Sequence, residues 1–319
     1  MKKILALVLA CALLLACCVS AVAEDKVYKV GILQLVQHNA LDAATKGFRD
    51  ALVELLGDSV VFDEQNAQGE PANCAMIAAG FVAEEYDLIL ANATPALQAS
   101  VAATRTIPVL GTSVTDYATA LGDPTIDATV GTGANVSGTS DGVPAQLYAD
   151  ITVDLIPNVK KVAVLYCASE ANSVLQAEQY KACLAAMDIE CEIFTFTDSN
   201  DIQTVCAAAI EGVDALYIPT DNTAASNMTI VANVCVPAKM PIICGEENMM
   251  AVGGLATVSI SYYDIGYITG EMAYEILVNG ADISTMEIQY SPKAVKEYNP
   301  AFAAAIGFEA PEGYAAYGE

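Results

Sequence analysis

Polar side chains collect where Val-, Ile- and Leu-rich runs end and helix-like stretches begin. The clusters are 37–39, 92–95, 112–116, 169–173, 220–222 and 246–248. In an open α/β sheet such strand ends face one way and pool their side chains with free helix N–H groups along one edge, where a small ligand would sit. Asp221 and Glu246 bring carboxylates that can pair with a cation; each can equally cap a helix, and a solvated loop is the plainer reading for at least one of Glu246 and Glu247. Thr94, Thr112, Ser113 and Thr220 set hydroxyls beside helix N-termini, a cradle for an anion. Gln37 and His38 end the first run, and Asn172 and Ser173 a later one. His38 is the only histidine, so a metal site or a triad with a separate histidine orienter lacks parts. Trp is absent, so any aromatic ring must be stacked by Tyr or Phe. Tyr263, with Tyr262, is the natural aromatic floor.

The elements that must position these groups alternate. Strands are expected near 27–35, 59–62, 88–91 and 108–110, with helices over 39–56, 72–85 and 94–103. Asn39 is the expected cap of the first helix, whose Leu41, Ala44, Phe48, Leu52 and Leu55 fall on one face. From 116 to 138 the composition turns to Gly, Thr, Asp and Pro and reads as a loop or crossover. A second series of strands and helices occupies 143–260, and a long amphipathic helix covers 263–278. Alternation of this kind implies parallel pairing through right-handed crossovers. The expected fold is therefore α/β, two serial halves of about 110 residues each with parallel sheets, the tail from Gly280 crossing back.

Lys2 and Lys3, an apolar run over 4–16 and Ala21-Val22-Ala23 read as an export signal over 1–23, too short to span a bilayer. Leu14-Leu15-Ala16-Cys17 resembles a lipobox, which makes Cys17 a lipidation candidate; cleavage after Ala23 would release a soluble protein instead. Either route places the protein outside the cytoplasmic membrane. Without the signal, 11 basic side chains face 39 acidic ones, a balance that repels nucleic acid and anionic headgroups. The seven cysteines beyond it are Cys74, Cys167, Cys183, Cys191, Cys206, Cys235 and Cys244, with no C-x-x-C spacing. An odd set within apolar runs fits buried thiols and hints at a reducing habitat. A Gly-x-Ser-x-Gly elbow, a Walker pattern and a strand-linked Gly-x-Gly-x-x-Gly are all missing, so the expectation is a protein that is not an enzyme and needs no cofactor.

Several segments together are similar to a known family. They are Val30-Gly31-Ile32-Leu33-Gln34-Leu35-Val36-Gln37-His38-Asn39-Ala40-Leu41-Asp42, Gln65-Asn66-Ala67-Gln68-Gly69, Thr139-Ser140-Asp141, Glu170-Ala171-Asn172-Ser173, Pro219-Thr220-Asp221-Asn222 and Tyr262-Tyr263-Asp264-Ile265-Gly266-Tyr267. In this order the chain resembles the substrate-binding proteins of ABC importers, in the branch associated with tryptophan and tyrosine uptake. The resemblance implies a type I periplasmic-binding-protein fold: two Rossmann-like lobes with parallel sheets, 27–141 and 142–260 with each taking part of 261–319, joined by a hinge and closing over a small molecule, here an aromatic amino acid, that is handed to a membrane permease. Asp221 is then the expected partner of the ligand ammonium. A sensor of the same fold, taking a nucleoside or a sugar and presenting to a receptor, is the alternative.

Overall fold

The computed structural model describes residues 26–309 and 311–318; the export signal and Cys17 lie outside the described residues. Strand–helix alternation builds the first half. β1 (Tyr28–Gln34) leads to α1 (Asn39–Leu56), β2 (Val60–Asn66) to α2 (Pro71–Ala83), β3 (Leu88–Asn92) to α3 (Thr94–Ala103), and β4 (Val109–Val114) to α4 (Tyr117–Leu121), with β5 (Val136–Ser140) last. The second half runs α5 (Ala145–Leu155), β6 (Lys161–Cys167), α6 (Ala171–Ala185), β7 (Glu190–Phe196), α7 (Ile202–Ala209), β8 (Ala215–Ile218), α8 (Asn222–Ser226), α9 (Met228–Ala238), β9 (Ile242–Cys244), α10 (Glu247–Gly253) and β10 (Ala256–Ser259). The chain then returns to the first lobe as α11 (Tyr262–Leu277) and β11 (Gln289–Tyr290). It ends in the second as β12 (Val295–Tyr298), α12 (Pro300–Ile306) and β13 (Ala315–Ala316).

Two sheets result. The first has the order β11-β5-β4-β3-β1-β2 and is parallel throughout. The second has the order β13-β12-β10-β9-β8-β6-β7 and is parallel except where β12 runs against β10. Successive side chains of a strand point to opposite faces, and the first sheet uses both. Ile32 and Leu90 face α1 and α11 with Phe48 and Leu52, whereas Leu33 and Ile89 face α2 and α3 with Phe81 and Leu97. Phe48 and Leu52, four apart on α1, are fully buried, and each contributes roughly 1.5–3 kcal/mol. The second lobe has one large core that includes Tyr148, Tyr180 and Tyr217.

Three local features depart from the sequence reading. His38 rather than Asn39 is the N-cap of α1, and its side chain makes no capping bond. β4 continues to Val114, which draws Thr112 into the sheet interior. β5 lies in the stretch read as a loop: Val-Ser-Gly-Thr-Ser has no apolar run, and it is strand because β4 pairs with it and because the Tyr117 hydroxyl donates to the Gly111 carbonyl across the close Gly111–Gly138 contact.

α11 packs on α1 backbone to backbone. A Cβ on Gly266 would overlap the Ala44 carbonyl oxygen, and one on Gly47 the Tyr263 carbonyl oxygen. This contact sets where α11 begins, and so where Tyr262 stands relative to the strand ends.

Candidate functional site

The strand ends of the two lobes face each other across a narrow cavity of about 10 Å³, measured as the space open to the centre of a water molecule. The first lobe lines it with His38 and Leu41 at the start of α1, Ser113 near the end of β4, Asp141 after β5, and Tyr262 at the start of α11. From the second lobe come Asn172 at the start of α6, Thr220, Asp221, Asn222 and Ala225 around the start of α8, and Glu246 before α10. Two side-chain pairs bridge the lobes: His38 Nε2 lies 3.2 Å from Asn222 Oδ1, and Thr115 Oγ1 lies 3.2 Å from Thr220 Oγ1.

Four buried polar atoms of this lining have no partner: His38 Nδ1, Ser113 Oγ, Asp141 Oδ1 and Asn172 Oδ1. Buried polar groups are ordinarily satisfied, so four around one cavity mark it as built for a polar ligand. Ser113 owes its position to a register shift between β4 and β5 and to a left-handed backbone, φ 55°, which re-aims its side chain. Asn172 donates its Nδ2 to the Thr220 carbonyl at 2.7 Å, which leaves Oδ1 free.

The three carboxylates of the lining differ in what they have left to offer. Asp221 accepts from the Cys167 and Ala224 N–H groups, both at 2.7 Å, and from the Ser173 hydroxyl at 2.8 Å. It caps α8, so its bonds already hold its own lobe together. Glu246 caps α10, accepting from the N–H groups of Asn248 at 2.6 Å and Met249 at 2.5 Å. Asp141 accepts from the Tyr262 hydroxyl at 2.9 Å, has the Thr115 hydroxyl close by, and keeps Oδ1 without a hydrogen-bond partner. Burial pushes all three carboxyls up; the nearby Glu170 adds to the effect at Asp221, and Glu246 is pushed up to about 7. Tyr262 is held well above its ordinary range by burial and then by Asp141, so its hydroxyl keeps its proton and donates. With no Lys or Arg in the lining, the cavity favours a group that is cationic and rich in donors.

The structure gathers His38, Ser113, Asn172, Thr220, Asp221 and Glu246 around one cavity and sets the other expected site residues elsewhere. Gln37 is exposed, in a surface groove with Lys46 and Arg49. Thr94 is buried at the start of α3, outside the lining. Thr112, inside β4, accepts from the Thr139 hydroxyl at 3.1 Å. Ser173 stands behind Asp221 as its donor. Tyr263 turns away, its hydroxyl donating to Asp50 Oδ2 at 3.0 Å, because one residue along a helix is a rotation of about 100°. Tyr262 shares its face with Ile265, Gly266 and Thr269, a spacing visible in the sequence. Asp141, Asn222, Leu41 and Ala225 also line the cavity without having been singled out as site residues. Asp141 becomes legible as a further strand-end acid once 136–140 is read as a strand.

Two doubly wound lobes, crossed three times by the chain and enclosing a polar cavity, define a type I periplasmic binding protein. The chain belongs to the family of ABC transporter substrate-binding proteins, whose family model matches residues 29–312. It is 37% identical over 257 residues to a tyrosine-binding protein of Clostridioides difficile, covering 80% of this chain and 74% of that protein. Its structure is similar to that of an ABC domain from Streptococcus pneumoniae in complex with L-Trp, with a TM-score of 0.85 at 33% identity, over 91% of this chain and 99% of that one. To the ligand-free, open structure of a substrate-binding protein with adhesive properties from Clostridium difficile the TM-score is 0.68 at 36% identity, with the same coverage. This chain thus superposes better on the ligand complex than on the open form, although its identity to the latter is slightly higher.

Proposed function

We propose that this protein captures an aromatic amino acid between its lobes and delivers it to the permease of an ABC importer. The observation that carries this reading is Asp141. It is the lining carboxylate with an unpartnered buried oxygen, suited to an ammonium, and the unpartnered Ser113 hydroxyl on the neighbouring strand is suited to the carboxylate. Leu41, Ala225 and the Tyr262 ring supply apolar wall for a side chain. The tyrosine- and tryptophan-binding relatives support the aromatic class.

A thermal-shift screen against the amino acids, nucleosides and sugars tests the proposal. A ligand at 100 times its dissociation constant adds about 2.7 kcal/mol. Aromatic amino acids are expected to raise Tm by several degrees. A rise with a nucleoside or a sugar, with no response to any amino acid, would sink the reading. Asp141→Asn is expected to weaken binding at least tenfold by calorimetry, since it leaves a buried ammonium uncompensated. Capture of this kind takes place outside the cytoplasmic membrane. The anchor is proposed at Cys17 or, after cleavage behind Ala23, absent; mass spectrometry of the mature N-terminus separates the two.

A further inference from the structure

Glu170, buried at the start of α6, accepts four donors. Its Oε2 takes the Asn222 N–H at 2.9 Å and Asn222 Nδ2 at 2.7 Å, and its Oε1 takes the Thr223 N–H and hydroxyl, both at 2.8 Å. Because a carboxylate claims the amide nitrogen of Asn222, the amide oxygen is the atom turned toward His38 Nε2 at 3.2 Å. An amide oxygen only accepts, so Nε2 carries the proton. Burial holds the imidazole pKa below its ordinary value and the ring neutral, and a neutral ring protonated at Nε2 presents a bare lone pair at Nδ1. That atom is buried and has no partner.

The sheet order decides what could reach it. Asp141 follows β5 and His38 follows β1, with β4 and β3 between them. Three strand spacings of 4.7–4.9 Å separate the two strands by about 14 Å. The two acceptors thus belong to strand ends three places apart in the sheet, so a ligand whose ammonium meets Asp141 can run its side chain along the strand ends toward His38. A further unpartnered acceptor, Asn172 Oδ1, faces the cavity from the second lobe, where Asn172 donates to the Thr220 carbonyl.

Resting on the aromatic-amino-acid reading above, we propose that His38 determines specificity. Its Nδ1 accepts a hydrogen bond from an O–H or N–H at the far end of the ligand side chain, so that a phenol or an indole is taken and a plain phenyl ring is rejected. A site built to hydrogen-bond one group discriminates strongly against the analogue that lacks it, because its own polar atom is then buried unmet.

Calorimetry with L-Tyr, L-Trp and L-Phe tests this. At least one of the first two is expected to bind tenfold or more tighter than L-Phe, and His38→Leu is expected to bring that preference within threefold. L-Phe binding within threefold of the best ligand overturns the role of His38 while leaving aromatic capture standing. A His38→Leu variant that loses affinity for all three alike and keeps the preference also overturns it. No binding of any of the three takes both readings down. Because His38 is the only histidine, ¹⁵N-histidine NMR of the unaltered protein reads its tautomer without a variant. The Nε2–H form is expected, with the Nδ1 resonance moving on addition of L-Tyr or L-Trp and not of L-Phe; an Nδ1–H tautomer overturns the proposal.

Discussion

Asp221, Glu246 and Asp141 are acids at comparable places in the chain, and their bonding separates their roles. The first two are committed to helix starts in their own lobe, and the third keeps an oxygen for the cavity. Glu246 carries a pH signature. Its carboxyl, ordinarily near 4.5, is pushed up to about 7 in the folded protein by burial, with Glu247 adding a smaller push. Below about 4.5 both folded and unfolded chains hold that proton. Between about 4.5 and 7 the unfolded chain has released it while the folded one retains it, so stability falls as pH rises through the window. The shift corresponds to about 3 kcal/mol. Asp141 and Asp221 act with the same sign. His38, lowered, acts with the opposite sign and removes stability as pH falls below 6.5. Urea unfolding of the ligand-free protein at pH 5 and pH 7.5 is expected to show a smaller loss across that interval in Glu246→Gln than in the wild type. Equal losses would mean that Glu246 is not the titrating group.

Helix α11 carries Tyr262 to the cavity, and its placement depends on small residues at its contact with α1. Gly266→Ala drives a methyl into the Ala44 carbonyl, and neither backbone can move without disturbing the sheet beneath. The expected cost is about 1–3 kcal/mol in urea unfolding, together with weaker ligand binding as Tyr262 and its bond to Asp141 shift. Unchanged stability and affinity would show that the two helices can slide apart freely. The same contact explains how far the helix was legible. Its period predicts a buried stripe that contains Tyr262; the sequence offers Tyr262 and Tyr263 together as the floor, and the helix rotation between them leaves only Tyr262 at the cavity. β5 was missed for a different reason, since its residues become a strand through β4 and Tyr117 rather than through any apolar pattern of their own.

The two lobes meet around the cavity through few direct side-chain bonds, among them His38–Asn222 and Thr115–Thr220. Closure held so lightly gains most of its stability from a ligand that touches both sides, and a ligand shifts such an equilibrium only by its differential affinity for the closed form. Small-angle X-ray scattering is expected to give a smaller radius of gyration with bound aromatic amino acid than without it. An unchanged radius would mean that the lobes stay together regardless of ligand.

Strand–helix alternation, two halves and the polar strand ends were determined by the sequence alone, because apolar periodicity and helix-start chemistry are local properties. Tertiary structure decided which of those polar residues face the cavity between the lobes. A strand-end acid or hydroxyl is a cap when its lone pairs are filled by its own lobe, as at Asp221 and Glu246. It is free for a ligand when they are not, as at Asp141 and Ser113. That difference depends on partners distant in the chain: Cys167 is 54 residues from Asp221, and Tyr262 is 121 from Asp141. No local pattern encodes whether a hydrogen bond across such a separation is made.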